Sequence, residues 1–163
     1  MEYTKLGNTD LEVSKICIGC MSFGKAGTMH DWTLDETESE KVIKHALDLG
    51  INFFDTANCY SAGTSEEYLG KAIRNNIARD KVVIASKVYF NDGRLSKEAI
   101  AREIDGTLQR LETDYLDLYI IHRFDFDTPI EETMEALDAL VKAGKVRAIG
   151  ASAMYGYQFH NMQ

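Results

Sequence analysis

Proline is nearly absent from this sequence: there is one in 163 residues, at position 129. That excludes a proline-rich linker, and with no break in composition the chain reads as a single domain, residues 1–163. Cysteine is scarce too. Cys17, Cys20 and Cys59 are an odd, sparse set that makes no disulfide framework. No apolar run approaches the roughly 18 residues that cross a bilayer, and the first residues lack the basic stretch and apolar segment of a secretory leader. The expectation is a cytoplasmic protein with no membrane attachment. Positive charge is in the minority, with 18 Lys and Arg against 26 Asp and Glu for a net charge of −8. Such a field repels a phosphate backbone, so nucleic acid is not an expected partner.

Hydrophobic residues make up 45% of the chain, enough for a core, and they fall into a rhythm. Short apolar runs at 16–21, 51–55, 82–88, 115–122 and 146–151 alternate with longer segments of helical period. Phe53-Phe54, Val82-Val83-Ile84-Ala85 and Leu118-Tyr119-Ile120-Ile121 carry consecutive apolar residues, as parallel strands covered on both faces do. Thr33-Leu34-Asp35-Glu36 and Thr64-Ser65-Glu66-Glu67 fit capping boxes, and Ser96 fits a third cap. Pro129 fits the first position of a fourth helix, which Gly144 closes. Ile100, Ile104, Leu108 and Leu111 make one apolar helical stripe.

Strand and helix alternating four times before a fifth strand predicts right-handed βαβ units. An open dinucleotide-binding sheet would place Gly-x-Gly-x-x-Gly after its first strand. Here the chain reads Ile18-Gly19-Cys20-Met21-Ser22-Phe23-Gly24, which favours a closed (β/α)8 barrel of TIM type. Residues 1–15 read as a β-hairpin, Tyr3 to Leu6 and Leu11 to Val13 around Gly7-Asn8-Thr9-Asp10, that caps the N-terminal end. Residues 16–163 supply five strands, four helices and the start of a fifth helix. A complete barrel takes about 250 residues. The expectation is therefore a barrel truncated after strand five, either an incomplete fragment or a chain that self-associates through exposed strand edges.

Functional residues of a barrel cluster where its strands end. Those ends hold Asp55, with Tyr60 close behind, then Lys87 and His122. Each alone is an ordinary rim residue; together they are a proton-donating set. A phenol gives up its proton reluctantly at neutral pH. A neighbouring ammonium stabilises the phenolate, a carboxylate keeps that ammonium charged, and an imidazole can hydrogen-bond the substrate's oxygen or relay the proton. The fitting partner is a carbonyl oxygen that gains negative charge as hydride arrives.

The segments Asn52-Phe53-Phe54-Asp55-Thr56-Ala57-x-x-Tyr60, Ser65-Glu66-Glu67-x-Leu69-Gly70, Ala85-Ser86-Lys87, Asp117-Leu118-Tyr119-x-x-His122 and Gly144-Lys145-Val146-Arg147-x-Ile149-Gly150-x-Ser152 resemble the aldo-keto reductases. The resemblance covers essentially the whole chain. It implies an oxidoreductase with NADPH as hydride donor, aldehydes or ketones as small-molecule substrates, and no metal. By motif match Tyr60 is the general acid, Lys87 and Asp55 its tuning pair, and His122 the residue that orients the carbonyl. Gly19, Cys20, Met21, Asp55 and Ser152 match the cofactor-binding positions. Ala153 stands where many members have Asn and lacks that carboxamide contact. Phe23, Trp32, Tyr89, Phe90, Arg123 and Phe124 are the substrate-pocket candidates, each also readable as rim packing. The family's phosphate-binding loops follow strands seven and eight. The resemblance also admits a non-catalytic regulatory subunit like the β subunits of voltage-gated potassium channels, and truncation admits an inactive half-barrel that acts by assembly.

Cys17 and Cys20 have redox-motif spacing, but three residues along an extended strand point to opposite faces, so no thiol pair is expected. Cys59 reads either as an oxidisable thiol beside Tyr60 or, more simply, as a small buried filler.

Overall fold

Five parallel strands lie side by side in chain order in the computed structural model, which describes residues 1–163. They follow a hairpin of β1 (Tyr3–Lys5) and β2 (Glu12–Ser14) and are β3 (Cys17–Gly19), β4 (Phe53–Asp55), β5 (Val83–Val88), β6 (Leu116–Ile121) and β7 (Val146–Ala151). The connecting helices are α1 (Glu36–Asp48), α2 (Thr64–Asn76), α3 (Lys97–Leu111) and α4 (Ile130–Lys142), with α5 (Gly156–Asn161) after β7. No helix is long and apolar enough to cross a membrane.

Of the three consecutive apolar runs only the one in β5 is covered on both faces, whereas Phe53 of β4 and Leu118 and Ile120 of β6 are half-buried on the face away from the helices. All six residues of β5 are buried. Alternate residues face two environments, and most of the core lies on the helix side, where Phe54, Ile84, Val88, Tyr119 and Ile121 pack beneath Ile43, Leu69, Ile100, Ile104 and Leu137. On the other face, Leu11 and Val13 of the hairpin segment pack with Val83 and Ala148, plugging the N-terminal end of the sheet as expected. Asn52 fastens that plug by accepting from the Ser14 N–H at 2.7 Å and donating to the Glu12 carbonyl at 2.9 Å. The C-terminal strand ends are left as the open mouth.

The helix starts differ from the capping boxes read in the sequence. Leu34 pairs with Phe23 as an isolated bridge, so the backbone stays extended past Thr33, and Asp35 caps α1 by accepting from the Glu38 N–H. Thr64 is the first residue of α2 and not its cap. Gly63 precedes the helix in the left-handed region (φ +91°), and the Thr64 hydroxyl instead donates to the Ser61 carbonyl and accepts from the Lys25 N–H. Pro129 sits one position earlier than expected, as the cap of α4. Ser96 caps α3 and Gly144, at φ +73°, follows the end of α4, both as read. The first strand is shorter than the run 16–21, because Cys20–Ser22 turns into a 3-10 segment.

α2 and α3 meet closely at Gly70. A Cβ there would lie 2.5 Å from the Leu111 carbonyl oxygen, so only glycine admits this approach.

Candidate active site

β4 and β5 are neighbours in register, with Asp55 opposite Ala85, and Lys87 follows two residues on along the same face. The period-two alternation therefore sends Asp55 and Lys87 into the mouth. It sends Ser86 the other way, where its hydroxyl donates at 2.5 Å to Glu66, a fully buried carboxylate that also takes the Arg110 guanidinium at 2.6 Å.

Lys87 is the hub. Its ammonium donates to Asp55 Oδ2 at 2.8 Å, to the Thr56 carbonyl at 2.9 Å and to the Tyr60 hydroxyl oxygen at 3.2 Å. Those three acceptors match the three hydrogens of an ammonium. The residue is 6% exposed, so the pairing replaces the water that a charge requires. Because Tyr60 accepts from Lys87, its own hydrogen remains free to be donated elsewhere.

The loop that carries Tyr60 is held on both sides. Before it, the buried Asn58 donates to Asn91 Oδ1 at 3.1 Å and to Glu103 Oε2 at 2.9 Å, tying the loop to the one after β5 and to α3. After it, Ser61 and Ala62 adopt left-handed backbone (φ 48° and 55°), and Ser61 abuts Gly24, where a Cβ would come within 2.3 Å of the serine Cβ. Two consecutive non-glycine residues in that region cost of order 1 kcal/mol each, and such strain concentrates at functional sites.

His122 completes the group. Its ring lies edge-on to Tyr60 at a centroid distance of 5.8 Å and edge-on to Phe90 at 5.0 Å. Burial first, then the charges of Lys87 and Arg123, lowers its pKa from the ordinary 6.5 to about 4, so the ring is neutral near pH 7. A neutral imidazole suits an orienting hydrogen bond better than proton relay. Cys59 Sγ is 3.9 Å from His122 Nδ1. Burial raises the thiol's pKa, which keeps it protonated beside Nδ1.

The residues matched to cofactor positions fall near this group. Gly19 is the register partner of Asp55, and a Cβ there would meet nothing within 4 Å, so the backbone turn at its end is open. Met21 is 39% exposed. Cys20 differs, because its side chain is wholly buried and its carbonyl accepts from the Ser65 hydroxyl and the Phe23 N–H. Ser152 sits just past β7, half-buried, with its N–H on the Ile121 carbonyl. Ala153 beside it is left-handed at φ 48°.

Of the pocket candidates, Tyr89, Arg123 and Phe124 line one cavity of about 440 Å³ together with Phe126, Ala153, Met154, Tyr155 and Gln158. Phe90 is outside that lining, with the Arg123 guanidinium 5.7 Å from its ring centre. Trp32 is exposed and stacked on His30 at 4.6 Å, apart from that cavity. Phe23 does not line a pocket: it is 3% exposed and belongs to the core, because its bridge to Leu34 turns it inward. Cys17 and Cys20 are both free, one exposed and one buried.

Sequence reading passed over the Thr56 carbonyl and Asn58. The first is a backbone atom without a signature, whereas a polar residue two positions before Tyr60 was a visible signal for the second.

Five strands of a parallel barrel with Asp, Tyr, Lys and His drawn together at the C-terminal mouth define a β/α-barrel protein with a polar, ionisable site. The chain belongs to the aldo/keto reductase family, whose sequence pattern matches residues 15–162. It is 41% identical over 187 residues to the versiconal hemiacetal acetate reductase of Aspergillus parasiticus, with 100% of this chain and 54% of that protein covered. It is 44% identical over 158 residues to an aldo-keto reductase of Bacillus subtilis, with 93% and 47% covered. The holo form of an aldo-keto reductase from Bacillus halodurans superposes with a TM-score of 0.85 at 36% identity, with 99% of this chain and 53% of that one covered. The chain thus spans about half the length of the relatives it matches, and its five strands are part of their (β/α)8 barrel.

Proposed function

We propose that this chain carries the proton-donating half of an NADPH-dependent carbonyl reductase, acting on aldehydes or ketones, with Tyr60 as the general acid. The observation that carries the reading is the hydrogen-bond direction at Lys87. The ammonium spends one hydrogen on the Tyr60 oxygen, so the phenol hydrogen is available to a substrate oxygen, and the same ammonium stabilises the phenolate left behind. Asp55 and the Thr56 carbonyl take the other two hydrogens and fix the ammonium's position. His122 is neutral, and in this reading it keeps its hydrogen on Nε2 and donates a second hydrogen bond that sets the carbonyl's orientation.

The residues present fit the nicotinamide end of the cofactor. Gly19 offers open backbone opposite Asp55, Met21 is exposed just beyond it, and Ser152 offers a hydroxyl just past β7. Ala153 offers no polar atom of its own side chain. When bound, the nicotinamide supplies the hydride. The aromatic wall of Tyr89, Phe90 and Phe124 keeps water from the substrate's apolar part.

The test is aldehyde-dependent loss of NADPH absorbance, with the 163 residues carried in a complete eight-stranded barrel. Turnover that disappears in Tyr60→Phe supports the reading, and turnover equal to wild type removes Tyr60 from the role.

A further inference from the structure

Of the seven arginines in the sequence, six have a carboxylate within salt-bridge distance. Arg74 pairs with Glu112, Arg79 and Arg147 share Asp117, Arg94 takes Asp125 and Asp127, Arg102 takes Glu103, and Arg110 takes Glu66. Arg123 has none. In a chain with 26 acidic against 18 basic residues, an arginine left without a carboxylate stands apart from its surroundings.

Its place gives that vacancy a direction. Arg123 follows His122 directly, and its guanidinium rests over Phe90, the ring that meets His122 edge-on at 5.0 Å. It is also the only charged residue lining the 440 Å³ cavity at this side of the mouth. The rest of that lining is aromatic, apolar or neutral, and no Asp or Glu faces it. Its charge reaches the site, as one of the two cations that help to keep His122 neutral. A planar guanidinium presents paired donors that match a carboxylate, and stacking on an aromatic ring limits its rotation and so preserves that fork for a ligand.

We propose that Arg123 anchors an anionic group of the substrate, so that this site takes aldehydes whose flat apolar body ends in a carboxylate. The inference rests on the carbonyl-reductase reading for the identity of the reacting group. Under it, the carbonyl lies at Tyr60 and His122, the apolar body lies against Phe90 and Tyr89, and the carboxylate meets Arg123. The competing account is a solvated rim arginine that only packs on Phe90.

The test needs no turnover. Binding of 4-formylbenzoate and of its uncharged methyl ester to the 163-residue chain is followed by NMR titration, in wild type, Arg123→Gln and Arg123→Lys. Wild type should bind the acid about tenfold more tightly than the ester, the scale of one charge-assisted hydrogen bond weakened by solvent. Arg123→Gln should bring the two affinities together, and Arg123→Lys should keep part of the preference through its point charge. Equal binding by wild type, binding of neither compound, or a preference that survives in Arg123→Gln overturns the proposal. The reductase reading is judged separately by Tyr60→Phe. An acid preference lost with Arg123 alongside an inert Tyr60 would retain the anion site and discard the reaction. An essential Tyr60 without any acid preference would do the reverse.

Discussion

The Lys87 ammonium donates to the Tyr60 hydroxyl oxygen at 3.2 Å and stands 4.8 Å from the centre of the same ring. The two residues are 27 positions apart in the chain and belong to different βα units. Neither is useful alone for proton donation at neutral pH. The phenol is too weak an acid, and the ammonium is already committed to Asp55 and the Thr56 carbonyl. In the proposed reading their contact makes a donor whose conjugate base has a cation beside it.

Lys87→Met should therefore sharply reduce turnover while leaving the fold in place. The expected loss is about 10²–10⁴-fold, the usual contribution of a positioned acid. Breaking a wholly buried ion pair costs about 3–5 kcal/mol. Asp55 keeps a side-chain exposure of 31%, so water can solvate it, and a loss of about 1–2 kcal/mol is expected here. Steady-state kinetics and urea unfolding on the same preparations separate the two effects.

The low pKa of His122 predicts a definite pH dependence. The ring titrates at about 4 when folded and near 6.5 when unfolded, so between those values the unfolded chain binds more protons. Stability linked to this group is fully present above pH 6.5 and is lost as pH falls toward 4. NMR titration of the imidazole protons should give a midpoint near 4, and His122→Gln should flatten the pH dependence of unfolding across that window. A midpoint near 6.5 would show that burial and the two cations do not act on this ring as described.

Gly70→Ala tests the contact between α2 and α3. Helix propensity alone favours alanine by about 1 kcal/mol. The new Cβ, however, would stand 2.5 Å from the Leu111 carbonyl oxygen, a backbone atom that cannot swing away. Overpacking of this kind costs about 1–3 kcal/mol. The expected net result is destabilisation by up to about 2 kcal/mol in chemical unfolding, and a stabilised variant would mean that the helices separate easily.

The sheet and the charged pair at its mouth were legible because both depend on alternation. Once Val83 to Val88 is a strand, Lys87 must face one way and Ser86 the other, and a parallel neighbour ending in Asp55 brings the charges together. The helix starts were less legible, since Thr33 and Asp35 are both good caps and the choice was made by the distant bridge of Leu34 to Phe23. That bridge also removed Phe23 from the pocket. The left-handed pair Ser61–Ala62 and the closeness of Gly70 to Leu111 arise from tertiary approach, for which neither residue carries a local mark. Cys59 read as filler by size, and its contact with His122 depends on a loop and a strand end 63 residues apart.

The central claim is that Tyr60 gives the proton, and Tyr60→Phe tests it with the removal of one oxygen. Lys87 keeps Asp55 and the Thr56 carbonyl in that variant, so the site should remain assembled. The measurement is kcat/KM for aldehyde reduction in the complete barrel, with the NADPH dissociation constant taken in parallel. The account predicts a fall of about 10²–10⁴-fold in kcat/KM with cofactor affinity retained. Equal kcat/KM in the two proteins would contradict it.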